Sequence, residues 1–156
     1  MTDIIIDGHQ DIAWNHFNHG RNFTRSAWAT RRRETGSAVA QVYGPCMVGL
    51  PDAILGRIAV MCATIFVPPA SSKMVPTDRL VYATPDEAYR LGTQQMDYYH
   101  RLAGENDRID LILNRADLDA VLATWAPGTD FADHRLGLVL LMEGADPILE
   151  PAQVEE

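Results

Sequence analysis

The sequence predicts an α/β protein built on a parallel sheet. Three observations carry that prediction. Short apolar runs rich in Ile, Val and Leu recur at 3–8, 57–67, 109–113 and 136–142, too continuous for one-sided strands and too short for helices. Between the later runs lie segments whose apolar residues repeat every three to four positions behind clear capping residues. The alternation of strand and helix then requires crossover connections, which join parallel neighbours. Doubly wound sheets and (β/α) barrels both satisfy the pattern, and both place chemistry in the loops after the C-terminal ends of the strands.

Taken in order, Asp3 to Gly8 carries three successive isoleucines and reads as a strand buried on both faces, ending at Gly8 and His9. Residues 15–50, with Asn, His, Gly and a run of arginines, read as a long excursion with few regular elements. Arg57 to Val67, bounded by Gly56 and by Pro68 and Pro69, is a second buried strand. A helix begins after Thr84, where Pro85 suits the first position and Glu87 completes a capping box; Gly104 closes it. Ala88, Leu91, Gln95, Tyr99 and Leu102 form its buried face. Ile109 to Leu113 is a short strand, and Asn114 caps a helix with Leu118, Val121, Leu122 and Trp125 on one side. Leu136 to Met142 is the last strand, ending at Glu143 and Gly144, and Glu150-Pro151 opens a further helix.

Composition excludes several classes. The chain has 156 residues, 47% hydrophobic and 22% charged, within the range of globular domains, so 1–156 reads as a single domain. A net charge of −8 disfavours nucleic acid and anionic membrane surfaces as partners. The longest apolar stretches, Ile58 to Pro69 and Leu136 to Met142, fall short of the roughly 20 residues that span a bilayer. With acidic residues where a signal peptide is basic, a cytoplasmic location is the expectation. Cys46 and Cys62 have no CxxC spacing and suggest neither a disulfide framework nor a cysteine zinc site.

Two predicted strands end in ligand-type residues: the first delivers His9 and Asp11, the last Glu143. Residues two apart in extended chain share a face, so His9 and Asp11 can enter one pocket. An imidazole and carboxylates suit a borderline metal such as zinc. The competing reading of an isolated HxD is a structural hydrogen bond from His9 and a helix cap from Asp11. Beyond this triplet, the segments DGHQDIAWN, DEAYRLGTQQMDYYHRL and LVLLMEGADPI, with the Arg57 to Pro69 strand between, stand in an order and spacing that resemble the N-terminal part of the membrane (renal) dipeptidase family, zinc metallopeptidases of the amidohydrolase-like barrel group. DGHxD and EG are the most specific elements of that resemblance.

The resemblance implies the N-terminal portion of a (β/α)8 TIM-type barrel, incomplete because such barrels need about 250 residues. It implies His9 and Asp11 as ligands of one zinc ion and Glu143 as the catalytic carboxylate bridging two ions. Such a pair, roughly 3.5–4 Å apart, activates a water against the amide of a dipeptide. Asp7 and Gly8 match the motif, Gly8 for backbone geometry. Homodimers are common in the family, so a second copy and a small dipeptide are the implied partners. The family's later ligand histidines and substrate-binding residues have no counterpart here. The alternative is therefore a truncated, non-catalytic fragment or pseudoenzyme that binds metal or a partner. A third reading is another metal-dependent barrel hydrolase, a phosphoesterase or deaminase.

The remaining candidates have plainer readings. His16, His19, His100 and His134 read as surface histidines, His16 being nearest the expected site. The Arg25 to Arg33 cluster reads as solvated or paired with Glu34. Trp14 either lines a substrate pocket or packs over the sheet, Asp146 and Pro147 shape a turn, and Cys62 is a small buried apolar residue. With about half of a barrel's strands, a strand edge and inner helix faces are expected to be exposed.

Overall fold

A computed structural model describes residues 3–74 and 78–155. Four strands, β1 (Ile5–Gln10), β2 (Ile58–Phe66), β3 (Ile109–Leu111) and β4 (Leu136–Glu143), form one parallel sheet in the order β1-β2-β4-β3. The α/β class is as the sequence predicts. The order is not a simple succession, because β4 lies directly against β2 and β3 stands outside it. The sheet is open, with β1 and β3 at its edges.

β2 and β4 make the centre, in unbroken register from Val60 opposite Gly137 to Phe66 opposite Glu143. Met61, Ala63, Leu136 and Leu138 are fully buried there, and Ile54, Tyr99 and Ile109 close over them from the flanking segments. β1 is the exception to the expectation of a strand buried on both faces. Ile5 is 52% and Ile6 66% exposed, because β1 has a neighbour on one side only.

Residues 15–50 hold more regular structure than their composition suggests. Helices α1 (Ile12–His19), α2 (Ala27–Glu34), α3 (Ala38–Val42) and α4 (Leu50–Leu55) follow β1. Their starts are conventional: Ser26 and Ser37 each accept a hydrogen bond from a backbone N–H three residues on. Gly49 permits the tight return between α2 and α4, since a Cβ there would stand 2.2 Å from the Arg25 carbonyl oxygen. Asp52 fastens the same corner by accepting the Ala27 N–H.

The two later helices fall where the caps place them. α5 (Pro85–Gly104) starts at the Thr84 and Glu87 capping box and buries Ala88, Leu91, Gln95, Tyr99 and Leu102; Gly104 is its last residue, with Glu105 as the cap. α6 (Arg115–Ala123) starts at Asn114, whose side chain accepts from Ala116 and Asp117 N–H groups. β3 is shorter than expected, ending at Leu111, and Pro151–Glu155 is a short 3-10 turn in place of the anticipated helix. Among the described residues, no helix is long and apolar enough to cross a membrane.

Candidate metal centre

The sheet's C-terminal edge is where the predicted ligands meet. β1 and β2 pair with two irregularities: Ile5 stands opposite Ile58 but Ile6 opposite Val60, and Asp7 stands opposite Met61 but Gln10 opposite Ala63, so beyond Asp7 β1 spends three residues where β2 spends two. The extra residue makes a bulge at Gly8 and His9, a device that re-aims a side chain at a strand end. Asp7 secures it: its Oδ1 accepts the His9 N–H at 3.1 Å and its Oδ2 accepts from the Gln10 amide at 2.8 Å. Gly8 lies at this bulge without needing a conformation reserved for glycine. Its φ is not positive, and a Cβ there would meet nothing within 4 Å.

His9 Nε2 lies 3.2 Å from Glu143 Oε2 and 3.6 Å from Asp11 Oδ1, although a whole strand separates β1 from β4. One donor atom from each of the three lies within 4.8 Å of the others. Around a tetrahedral zinc ion with bonds of roughly 2.0–2.2 Å, neighbouring donors stand about 3.3–3.6 Å apart. The 3.2 and 3.6 Å separations lie close to that spacing, within a cluster whose donor atoms are up to 4.8 Å apart.

Asp11 separates the metal reading from the plainer one. It occupies the N-cap of α1, yet its side chain makes no capping hydrogen bond. Its Oδ1 is buried, makes no hydrogen bond within 3.5 Å and faces His9 Nε2 at the longer distance of 3.6 Å, a poorly satisfied arrangement for a carboxylate oxygen. Burial pushes the Asp11 carboxyl above its ordinary range; His9 opposes that shift and the neighbouring Glu143 charge adds to it. A cation among the three side chains would satisfy that oxygen and offset the repulsion between the two carboxylates. The donor set, one imidazole nitrogen and two carboxylates, is of a kind that divalent metal ions take.

Helix α5 braces this edge. The Tyr99 hydroxyl accepts the Ala13 N–H at 3.1 Å and donates to the Thr64 carbonyl at 2.8 Å, tying the first turn after Asp11 to β2. Gln95 accepts the Phe66 N–H and donates to the Phe66 carbonyl, holding the residue opposite Glu143. Beyond Glu143, Asp146 accepts a hydrogen bond from Tyr82, and Pro147 sits against Gly92, where a Cβ would come within 2.7 Å of it. The Asp146-Pro147 turn is thus pinned to α5. Tyr99 and Gln95 were legible as a buried face, but nothing in sequence spacing shows that their polar ends bind strands.

A cavity of about 190 Å³ opens beside β1, lined by Gln10, Asn15, Arg21, Phe23, Tyr43 and Val48 among others. Its polar wall is organised by Arg21, which donates to Asn15, to the Gly44 carbonyl and to both oxygens of Glu34. Glu34 is therefore taken by Arg21, so of the two readings of the Arg25 to Arg33 cluster, solvated or paired with Glu34 and other acids, the pairing with Glu34 is not seen and Arg32 and Arg33 are exposed.

The other histidines stay out of the cluster, though three of them are not surface groups as expected. His134 is buried and stacked on Trp125 at 4.2 Å. His16 stacks on Tyr98 at 4.4 Å, and His19 packs against Trp14 and Tyr43. His100 is exposed. Trp14 packs with His19, Tyr43 and Phe66, its indole N–H unpartnered, while Cys62 is half-buried and not fully enclosed.

Comparison with protein-family models, with characterised proteins and with solved structures finds no match to this chain. The likeness to the dipeptidases stands on the quoted motifs alone.

Proposed function

We propose that the protein is a zinc-dependent hydrolase of the dipeptidase type, with His9, Asp11 and Glu143 as metal ligands and Glu143 as the catalytic carboxylate. The observation that supports this best is the buried Asp11 Oδ1, which makes no hydrogen bond within 3.5 Å and stands beside the His9 imidazole and a second carboxylate contributed by a non-adjacent strand. A bound zinc ion supplies Lewis acidity toward an amide carbonyl and acidifies a coordinated water. His9 offers Nε2 as the imidazole donor, its orientation set by the bulge that Asp7 fastens. Asp11 contributes a negative charge held in place by the Tyr99 brace on the adjoining turn. Glu143 presents Oε2 toward His9, so its carboxylate would hold the metal beside His9 and Asp11. The portion of a barrel, the second ion and the dipeptide substrate come from the motif resemblance.

The test is calorimetric zinc titration together with hydrolysis of a panel of dipeptides. Stoichiometric binding that falls at least about a hundredfold in Asp11→Asn, with zinc-dependent amide cleavage, is the expected result. Equal binding by wild type and Asp11→Asn would sink the assignment. One observation favours the second reading, a metal-binding but non-catalytic chain: among the described residues the cluster contains three ligands, enough for one ion. Zinc binding without cleavage of any dipeptide is its signature.

A further inference from the structure

Charge is unevenly distributed along this acidic chain. Residues 12–51 contain Arg21, Arg25, Arg31, Arg32 and Arg33 and a single acid, Glu34, giving 5 − 1 = +4 within a chain of net −8. Everything else therefore carries −8 − 4 = −12. Glu34 and Arg21 neutralise each other, and Arg31 is spent on the Cys46 carbonyl and the Met47 sulfur. Arg25, Arg32 and Arg33 remain, and among the described residues no carboxylate pairs with them.

These three arginines surround an exposed aromatic ring. Trp28, Ala29, Arg32 and Arg33 of α2 and Arg25, just before its N-cap, line one open surface groove. Trp28 is 62% exposed, the Arg32 guanidinium lies 4.7 Å from its ring centre, and Met47 beside Arg31 is 74% exposed. α2 docks on the body through Ala27 and Thr30, so Trp28 is not needed for packing. Compensation of the helix dipole accounts for arginines in the last turn; it does not account for Arg25, which precedes the N-cap, or for the bare indole.

We propose that this face of α2 is a docking site for an acidic peptide segment of a partner protein. Trp, Met and Arg are the residue types enriched in protein interfaces. Unpaired guanidiniums recognise carboxylates bidentately, and Trp28 offers a flat apolar surface for a side chain between the acids. A long polyanion such as nucleic acid meets the same patch but also the −12 carried by the rest of the chain, which repels it. A short acidic segment need touch only the groove. The proposal is independent of the metal centre.

Fluorescence anisotropy with a dye-labelled peptide of Glu and Asp interrupted by single Leu and Phe residues tests it on the full chain. Saturable binding that weakens with added salt is expected, reduced at least about tenfold in Arg25→Gln/Arg32→Gln and in Trp28→Ala. Arg90→Gln, an exposed arginine elsewhere on α5, should bind as wild type. Circular dichroism melts confirm that each variant folds. Absence of peptide binding, or binding untouched by the α2 substitutions, overturns the proposal. So does tighter binding of a single-stranded oligonucleotide or of anionic vesicles. A wild-type dimer dissolved by the same substitutions would assign the face to a second copy of the chain, and also overturns it.

Discussion

Asp7 has no place among the metal ligands, yet His9 depends on it. By accepting the His9 backbone N–H it satisfies a group at the β1 bulge, and by accepting from the Gln10 side-chain amide it ties down the residue beyond it. Asp7→Ala should therefore weaken zinc binding about tenfold without removing a ligand, and Asp7→Asn, which keeps an acceptor for the His9 N–H, should recover part of the loss. Zinc titration of the two variants checks this; equal loss in both would show that charge, not the bulge, matters. A second residue-scale prediction concerns pH. Burial pushes His19 below its ordinary pKa, with Arg21 acting in the same direction and Asp78 and Glu34 against it; burial also lowers His16. The unfolded chain protonates these groups near about 6.5, while the folded chain resists. Stability is then unaffected above about 6.5 and falls as pH drops from there toward the lower folded values. Urea melts from about pH 7.5 to about pH 5.5 should show that decline, and His19→Phe should flatten it. His9, Asp11 and Glu143 were legible because strand ends and ligand chemistry are both local. Asp7's role was not, since a bulge exists only relative to its partner strand.

Among the elements, α5 is the one on which the site's geometry rests. Its capping box and apolar face were readable because both are set within one turn of helix. What it binds was not readable: Gln95 and Tyr99 reach residues 29 and 35 positions away, and no periodicity encodes such a contact. Gln95→Leu would keep the volume and leave the Phe66 N–H and carbonyl unsatisfied, costing roughly 2–5 kcal/mol. A chemical-denaturation series should give that loss, and a variant as stable as wild type would show that water replaces the amide. Thr84→Ala should cost about 1 kcal/mol through the cap alone. The region from α1 to α4 was underestimated for a related reason. Its helices are short, α2 has little apolar periodicity, and only the serine caps at Ser26 and Ser37 announce them.

For the whole molecule, the isoleucine run of β1 correctly implied a strand and wrongly implied a cover. Apolar, β-branched residues report that a segment is extended; what lies over them is a property of the sheet order, and β1-β2-β4-β3 leaves β1 at an edge. Its outer side offers unpaired backbone groups next to Ile5 and Ile6, a combination that promotes pairing with another chain. Concentration-dependent association of the wild type, reduced in Ile6→Lys, is the expected outcome in sedimentation equilibrium. Salt distinguishes this edge from the arginine face of α2. Apolar association strengthens with sulfate because the salt is excluded from the protein surface, whereas contacts through Arg25 and Arg32 are screened and weaken. Association that rises with sulfate and falls in Ile6→Lys locates the contact at β1. A wild type that stays monomeric at every concentration would mean that six residues of twisted edge strand are too short a template, however apolar they are.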